Sequence, residues 1–251
     1  MKRNILMSAM VLLAATVMAA DADKDNVKNA AKKVADSGYS WKTEVENAGG
    51  GGGGFGANEG KVGKDGTVYV TMSGRNNNTT EVYAKGEKVA IKTQDDWQSL
   101  DEVTAAAAAN NNAGGGGGGG RRGGRGAMFA RFKNYKTPAV TIAELLDKVK
   151  DLKTSEGVVM GDLTEEGAKT LLTFGGRRGG NGGNGPEISG AKASVKIWIK
   201  DGVLTKVQTH VEGTVSFNGN DRDVDRTTTT EFKNVGSTDV KVPDDAAKKL
   251  S

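Results

Sequence analysis

The chain has 251 residues, 35 Lys and Arg against 31 Asp and Glu, one histidine, no cysteine and 38 glycines. The absence of cysteine excludes disulfides, thiolate metal centres and a lipid attached to an N-terminal cysteine. Three tracts, 49–54, 114–126 and 175–185, hold 23 of the glycines, and the last two also hold five arginines and no acid. The rest of the chain therefore has an ordinary glycine content of about 7% and a slight excess of acid, so its basic pI gives no argument for a nucleic-acid partner.

Lys2 and Arg3, an apolar run from Ile5 to Ala20 broken only by Ser8 and Thr16, and the small residues that follow have the layout of a signal peptide over residues 1–22, cleaved after Ala20 or Ala22. The run is shorter than the ~20 residues a membrane span needs. Export without disulfides fits a bacterial periplasm. A single domain is expected over 23–251, with Gly-rich disordered inserts at 48–56, 110–127 and 175–187.

Asp25–Asp36 reads as an amphipathic helix with Val27, Ala30, Ala31 and Val34 on one stripe. Tyr39–Glu46 then switches to a period of two, with Tyr39, Trp41, Thr43 and Val45 on one face. Lys61–Ser73 predicts strand, Gly-Lys-Asp-Gly turn and strand, and Glu81–Thr93 predicts a second hairpin about Lys85-Gly86-Glu87. Helices are expected at Ser99–Ala109, at Thr141–Leu152 with a capping-box spacing at Thr141 and Glu144, and at Thr164–Phe174. Short strands around Gly157–Gly161 would link them, making residues 98–175 a helical insert between two halves of a sheet.

Ala191–Glu212 is a long hairpin joined by Lys-Asp-Gly. Val195, Ile197 and Ile199 point one way, and Lys196, Trp198 and Lys200 the other, as a pleated strand requires. Gly213–Phe217, a polar turn at Asn218–Asp223, a Thr-rich strand at Val224–Asn234 and an edge strand at Val240–Pro243 follow. Asp244–Lys249 is a helical turn or disordered. The sum is an α+β fold: a strongly curved antiparallel sheet of about 8 to 11 strands, an incomplete barrel, covered by a few helices.

Residues that carry chemistry elsewhere have plainer readings here. The Arg-Gly tracts lack the interleaved aromatics of nucleic-acid-binding segments, which argues against a nucleic-acid partner and leaves an anionic envelope surface as the partner their charge would suit. His210 falls on the face of Lys206, Gln208 and Glu212, and no nucleophile turn of the form G-x-S-x-G accompanies it. Asp221, Asp223 and Asp225 lack the glycine and glutamate spacing of a calcium loop, and Asp95-Asp96 and Asp244-Asp245 read as solvated pairs. Trp198 reads as core packing. No catalytic residue, metal site or cofactor is expected.

The order of helix, Tyr/Trp strand, hairpin meander, helical insert, long hairpin and Thr-rich final strands, with VKIWIKDGVLTKVQTHVEGTV and the ending TTTTEFKNVGSTDVKVPDD, resembles the LolA-like superfamily and above all its mycobacterial glycolipid-carrier branch. The resemblance implies a half-barrel with a helical lid that carries a lipid or another hydrophobic ligand across the bacterial envelope. By position it places Val70, Met72, Ile91, Val195, Ile197 and Val207 in the cavity and Leu145, Leu146 and Val149 in the lid. The chain departs from that branch in lacking the lipid-attachment cysteine and in carrying the Gly-rich inserts, so it is expected to be free in the periplasm or secreted. The alternative is a non-enzymatic structural or adhesive envelope protein whose helices fill the cavity and whose Gly-rich loops make contacts.

Overall fold

The computed structural model describes residues 23–48, 58–73, 79–93, 96–112, 129–173, 186–217 and 219–251. The expected signal peptide and almost all of the three Gly-rich inserts lie outside them. Helix α1 spans 23–35. It is followed by β1 (Tyr39–Asn47), β2 (Asn58–Val62), β3 (Val68–Ser73), β4 (Thr79–Lys85), β5 (Lys88–Thr93), β6 (Asp96–Ser99) and α2 (Leu100–Asn112). Then come α3 (Pro138–Leu146), β7 (Val149–Ser155), β8 (Val158–Leu163), α4 (Glu165–Thr173), β9 (Glu187–Lys200), β10 (Val203–Phe217), β11 (Asn220–Lys233) and α5 (Asp244–Leu250).

All eleven strands belong to one antiparallel sheet in the order β6-β5-β4-β3-β2-β1-β11-β10-β9-β8-β7. Strands β6 and β7 are its free edges, so the sheet stays open. This is the expected α+β class at the upper end of the expected strand count. By packing the described residues divide into two compact units, one within 1–34, 44–54 and 139–231 and one within 35–43, 55–138 and 232–251.

In the first unit the long hairpin β9–β10 turns on Asp201 and Gly202, at φ 53° and 69°. Those two positive angles make the tight turn whose twist matches the strands, which is why Asp-Gly stands there. Ile197 lies opposite Val207 of β10 and Val159 of β8, and Val207 lies opposite Thr230 of β11. Helix α4 packs on β9 and β10. Its first turn is capped by the Thr164 hydroxyl, which accepts from the Gly167 N–H at 3.1 Å.

The helix expected at Thr141–Leu152 is instead Pro138–Leu146, with Ala139, Ile142, Leu145 and Leu146 buried. Proline, which has no N–H to donate, suits the first helical position, so Thr141 and Glu144 fall inside the helix and form no capping box at its start. A turn at Asp147-Lys148 closes it, and Val149 then pairs with Leu163 in the hairpin β7–β8. Glu156 and Gly157, both at positive φ, reverse that hairpin. The apolar spacing of Leu145, Leu146 and Val149 satisfied a helical period, but the Glu-Gly turn gave Val149–Ser155 a strand partner and so decided the matter. The described residues of 98–175 thus hold a full sheet-edge hairpin, β7–β8, beside their helices, where only short linking strands around Gly157–Gly161 are expected. Strand β11 likewise begins at Asn220, pairing with Phe217, so Asp221 and Asp223 lie in a strand where a turn is expected.

The second unit is a meander, β2 to β6, in which each strand pairs with the next. Gly60 sits opposite Trp41 of β1, whose indole covers the glycine so closely that a Cβ there would overlap the ring. Tyr39 packs against Trp41 and Phe232 with ring centroids 5.9 and 5.7 Å apart. The Asp65 carboxylate, in the β2–β3 turn, accepts from Lys85 Nζ at 2.6 Å and from the Thr67 hydroxyl and N–H at 2.7 and 3.1 Å. Ser99 and Glu102 exchange side-chain-to-backbone bonds of 2.7 and 3.2 Å, a capping box at the start of α2. Trp97, on the unforeseen strand β6, packs on Tyr83 at 5.3 Å. Val240–Pro243 does not form the expected edge strand. Val240 and Val242 pack instead against Tyr83, Ala90 and Ala246, beneath the helix α5 that follows.

Candidate ligand-binding face

Alternation along β8, β9, β10 and β11 sorts the first unit's side chains onto two faces of opposite chemistry. Registers place Ala193–Val211–Arg226, Val195–Thr209–Thr228 and Val159–Ile197–Val207–Thr230 in successive rungs of one face. Ala193, Val195, Ile197, Val207, Val211, Val159 and Thr230 are buried. Gly213 continues this face and admits α4, since a Cβ there would lie 2.8 Å from Leu172 Cδ1. In the second unit Val70 faces Val82, and Val82 faces Ile91, so these three form an apolar rung of the meander.

All six expected cavity residues, Val70, Met72, Ile91, Val195, Ile197 and Val207, are exposed by 4% or less. The structure groups Val195, Ile197 and Val207 on the face described, and Val70, Met72 and Ile91 within the meander. Met72 Sδ also accepts from the Arg131 guanidinium at 2.7 Å. Of the expected lid residues, Leu145 and Leu146 are buried on α3, while Val149 is buried in β7.

Arg226 is the residue that sequence reasoning missed. It shares a rung with Val211 and Ala193, so its guanidinium belongs to the apolar face. Its Nη2 donates to the Leu171 carbonyl of α4 at 2.6 Å, and its buried Nε has no hydrogen-bond partner. Burial lowers its pKa from the usual arginine value. The signal was present in V-D-R-T-T-T-T: Arg226 is in phase with Val224, Thr228 and Thr230, the inward positions of β11.

The opposite face is polar. His210 lies on this face with Lys206, Gln208 and Glu212, as alternation predicts, and it is partnered. Its Nε2 lies 3.0 Å from Glu212 Oε1, and its Nδ1 lies 3.2 Å from the Thr227 hydroxyl and 3.8 Å from Asp225 Oδ1. The ligand atoms of His210, Glu212 and Asp225 lie within 4.8 Å of one another. The two ring nitrogens face different carboxylates, Glu212 within hydrogen-bond distance and Asp225 beyond it. Lys206 Nζ stands 4.7 Å over the Trp198 ring on the same face, which places Trp198 among cations and only half-buried rather than in the core.

A cleft of about 740 Å³ opens where the β8–β9 ladder stops at Asp162 and Ser194. Its wall includes Lys150, Asp162, Glu165, Lys192, His210 and Glu212. A second cleft, of about 450 Å³, is lined in the other unit by Lys61, Tyr69, Tyr83, Asp239, Val240 and Lys241. Burial pushes the Tyr69 and Tyr83 phenols up from their ordinary pKa. None of the six expected cavity residues lines either cleft.

No family model and no curated protein matches the chain. Among solved structures, the lipoprotein LppX of Mycobacterium tuberculosis is similar with a TM-score of 0.47 and 9% identity, over 89% of this chain and 99% of that one. LprF of Mycobacterium bovis is similar with a TM-score of 0.46 and 11% identity, over 90% of this chain and 97% of that one.

Proposed function

We propose that this chain is an exported, non-catalytic binding protein that carries a lipid-like molecule against the apolar face of its open sheet. The observation that supports this best is the unbroken apolar rung Val159–Ile197–Val207, on strands β9 and β10 against which the short helix α4 packs. Helix α4 has only nine residues, and if it moves, an acyl chain gains about 0.8 kcal/mol for each methylene buried in its place. The resemblance of the sequence to envelope carriers and the signal-like segment at 1–22 support export to the periplasm or beyond.

A second reading is favoured by the burial of all six expected cavity residues by the protein itself. In it the core is permanently filled, and the protein is a structural or adhesive component whose Arg-Gly segments touch an anionic envelope surface. Native mass spectrometry of the protein made with its leader in a bacterial envelope and gently extracted separates the two. Co-purifying lipid at near one molecule per chain is the expected result. A lipid-free mass, unchanged after incubation with envelope lipid extract, refutes the carrier and leaves the structural reading.

A further inference from the structure

A guanidinium on an apolar face is costly unless its donors are satisfied, because burial strips it of water while it stays charged. Arg226 has such a position. One donor is used on the Leu171 carbonyl, while Nε is buried without an acceptor. Among the described residues it makes no ion pair with any carboxylate. Its sequence neighbour Asp225 faces the other way with His210, as alternation in β11 requires. The planar fork of arginine presents paired N–H groups that match two oxygens of a carboxylate or phosphate. The next rung, one step of about 7 Å along the strands, carries the hydroxyls of Thr209 and Thr228 beside Val195. A cation with a free donor thus stands at one end of an apolar strip that runs through Ala193, Val195 and Ile197.

We infer, building on the carrier reading above, that the ligand is an anionic amphiphile whose carboxylate or phosphate oxygens pair with Arg226 and whose acyl chain lies along Ala193, Val195 and Ile197 beneath α4. Helix α4 is tied to the same guanidinium, because its Leu171 carbonyl accepts from Nη2 while Nε is left for the ligand.

Isothermal titration of the full-length protein with palmitate, hexadecyl phosphate, methyl palmitate and inorganic phosphate tests this, with Arg226→Gln and Arg226→Lys alongside. The wild type should bind palmitate or hexadecyl phosphate at least tenfold more tightly than methyl palmitate, and the stronger of the two identifies the headgroup. Arg226→Gln should bind the ester as before and lose the preference, and Arg226→Lys should keep part of it. Equal affinity of the wild type for palmitate and its methyl ester overturns the inference and leaves the carrier intact, and that ratio decides even if the variants fail to fold. Inorganic phosphate binding as tightly as hexadecyl phosphate overturns it too, since the chain would then contribute nothing. Failure of every amphiphile to bind sinks the carrier reading as well.

Discussion

Replacing Ile197 with alanine tests whether the face that holds the proposed ligand is packed solid in the free protein. Ile197 has no exposed surface and sits between Val159 and Val207 in the centre of its rung. The substitution deletes three carbons, worth ~2.4 kcal/mol at about 0.8 kcal/mol each. An unrelaxed cavity raises the loss toward ~5 kcal/mol. A chain of this size loses about 2–4 °C of Tm per kcal/mol, so Ile197→Ala should melt ~5–20 °C below wild type. The control is Lys196→Ala, one residue away on the exposed side of β9, expected within ~0.5 kcal/mol or ~2 °C. Thermal unfolding followed by circular dichroism gives both numbers. Equal losses at the two positions would refute the assignment of faces. A loss below ~1 kcal/mol at Ile197 would show that the face is not packed by the protein's own side chains.

Gly60→Ala should cost ~1–3 kcal/mol, because its methyl overlaps the Trp41 indole and lies 2.6 Å from the Tyr69 carbonyl oxygen. Pairing it with Trp41→Leu in a double-mutant cycle should reveal strong coupling, and additive losses would refute the overlap. Gly202→Ala should cost ~1–2 kcal/mol in urea unfolding through the left-handed angle its turn demands, and no loss would mean that the turn rearranges freely. The Asp65 carboxyl is held down at about 2, first by the hydrogen bond from Lys85 and then by those from Thr67. A depressed carboxylate stabilises above its unfolded pKa and loses that contribution as pH falls through the folded one. Asp65→Asn should therefore be less stable than wild type at pH 7, with the gap closing between about pH 4 and pH 2, and a gap constant with pH refutes the linkage. Arg226→Met should change stability by less than ~1 kcal/mol, since the bond to Leu171 is lost while an unsatisfied Nε, itself worth ~1–3 kcal/mol, is removed. A loss above 2 kcal/mol in denaturant titration would mark Arg226 as a structural tie.

Much of the sheet was legible because its strands speak a local language. Val195, Ile197, Lys196 and Lys200 alternate, and Asp201-Gly202 supplies a turn that such a hairpin favours, so the partner strand and the inward face of β9 follow from adjacent residues, whereas the register beyond Lys206 depends on a bulge between Leu204 and Lys206. The meander from Asn58 to Thr93 is legible for the same reason. What failed depended on partners distant in sequence. Val149 fits a helix stripe and a strand equally well, and only pairing with Leu163 separates them. Trp97 lies on a four-residue strand too short to show a period, held by Tyr83 and by β5. Val240 and Val242 alternate like a strand but bury themselves on the Tyr83 cluster instead of joining a ladder. The partners of His210 were hidden because Thr227 and Asp225 reach it from the next strand, a juxtaposition set by the register of β10 on β11.

The two faces of β9, β10 and β11 also say something about where selection has acted on composition. The polar face satisfies itself: His210 with Glu212 and Thr227, Gln208 with Thr229, Thr214 with Asp223 and Ser216 with Asp221 are all hydrogen-bonded pairs within or across neighbouring strands. Such pairs need no external partner. The apolar face satisfies itself equally well by burial, except at Arg226. An interior position that wanted only volume would be met by methionine or leucine, at no cost in desolvated charge. One wanting a tie to α4 would be met by a neutral donor on the Leu171 carbonyl, leaving no orphan N–H. Arginine is the costly solution to both needs and the natural one to a third, holding a planar anion beside an apolar strip. The exception on the apolar face therefore carries more functional information than the rule around it.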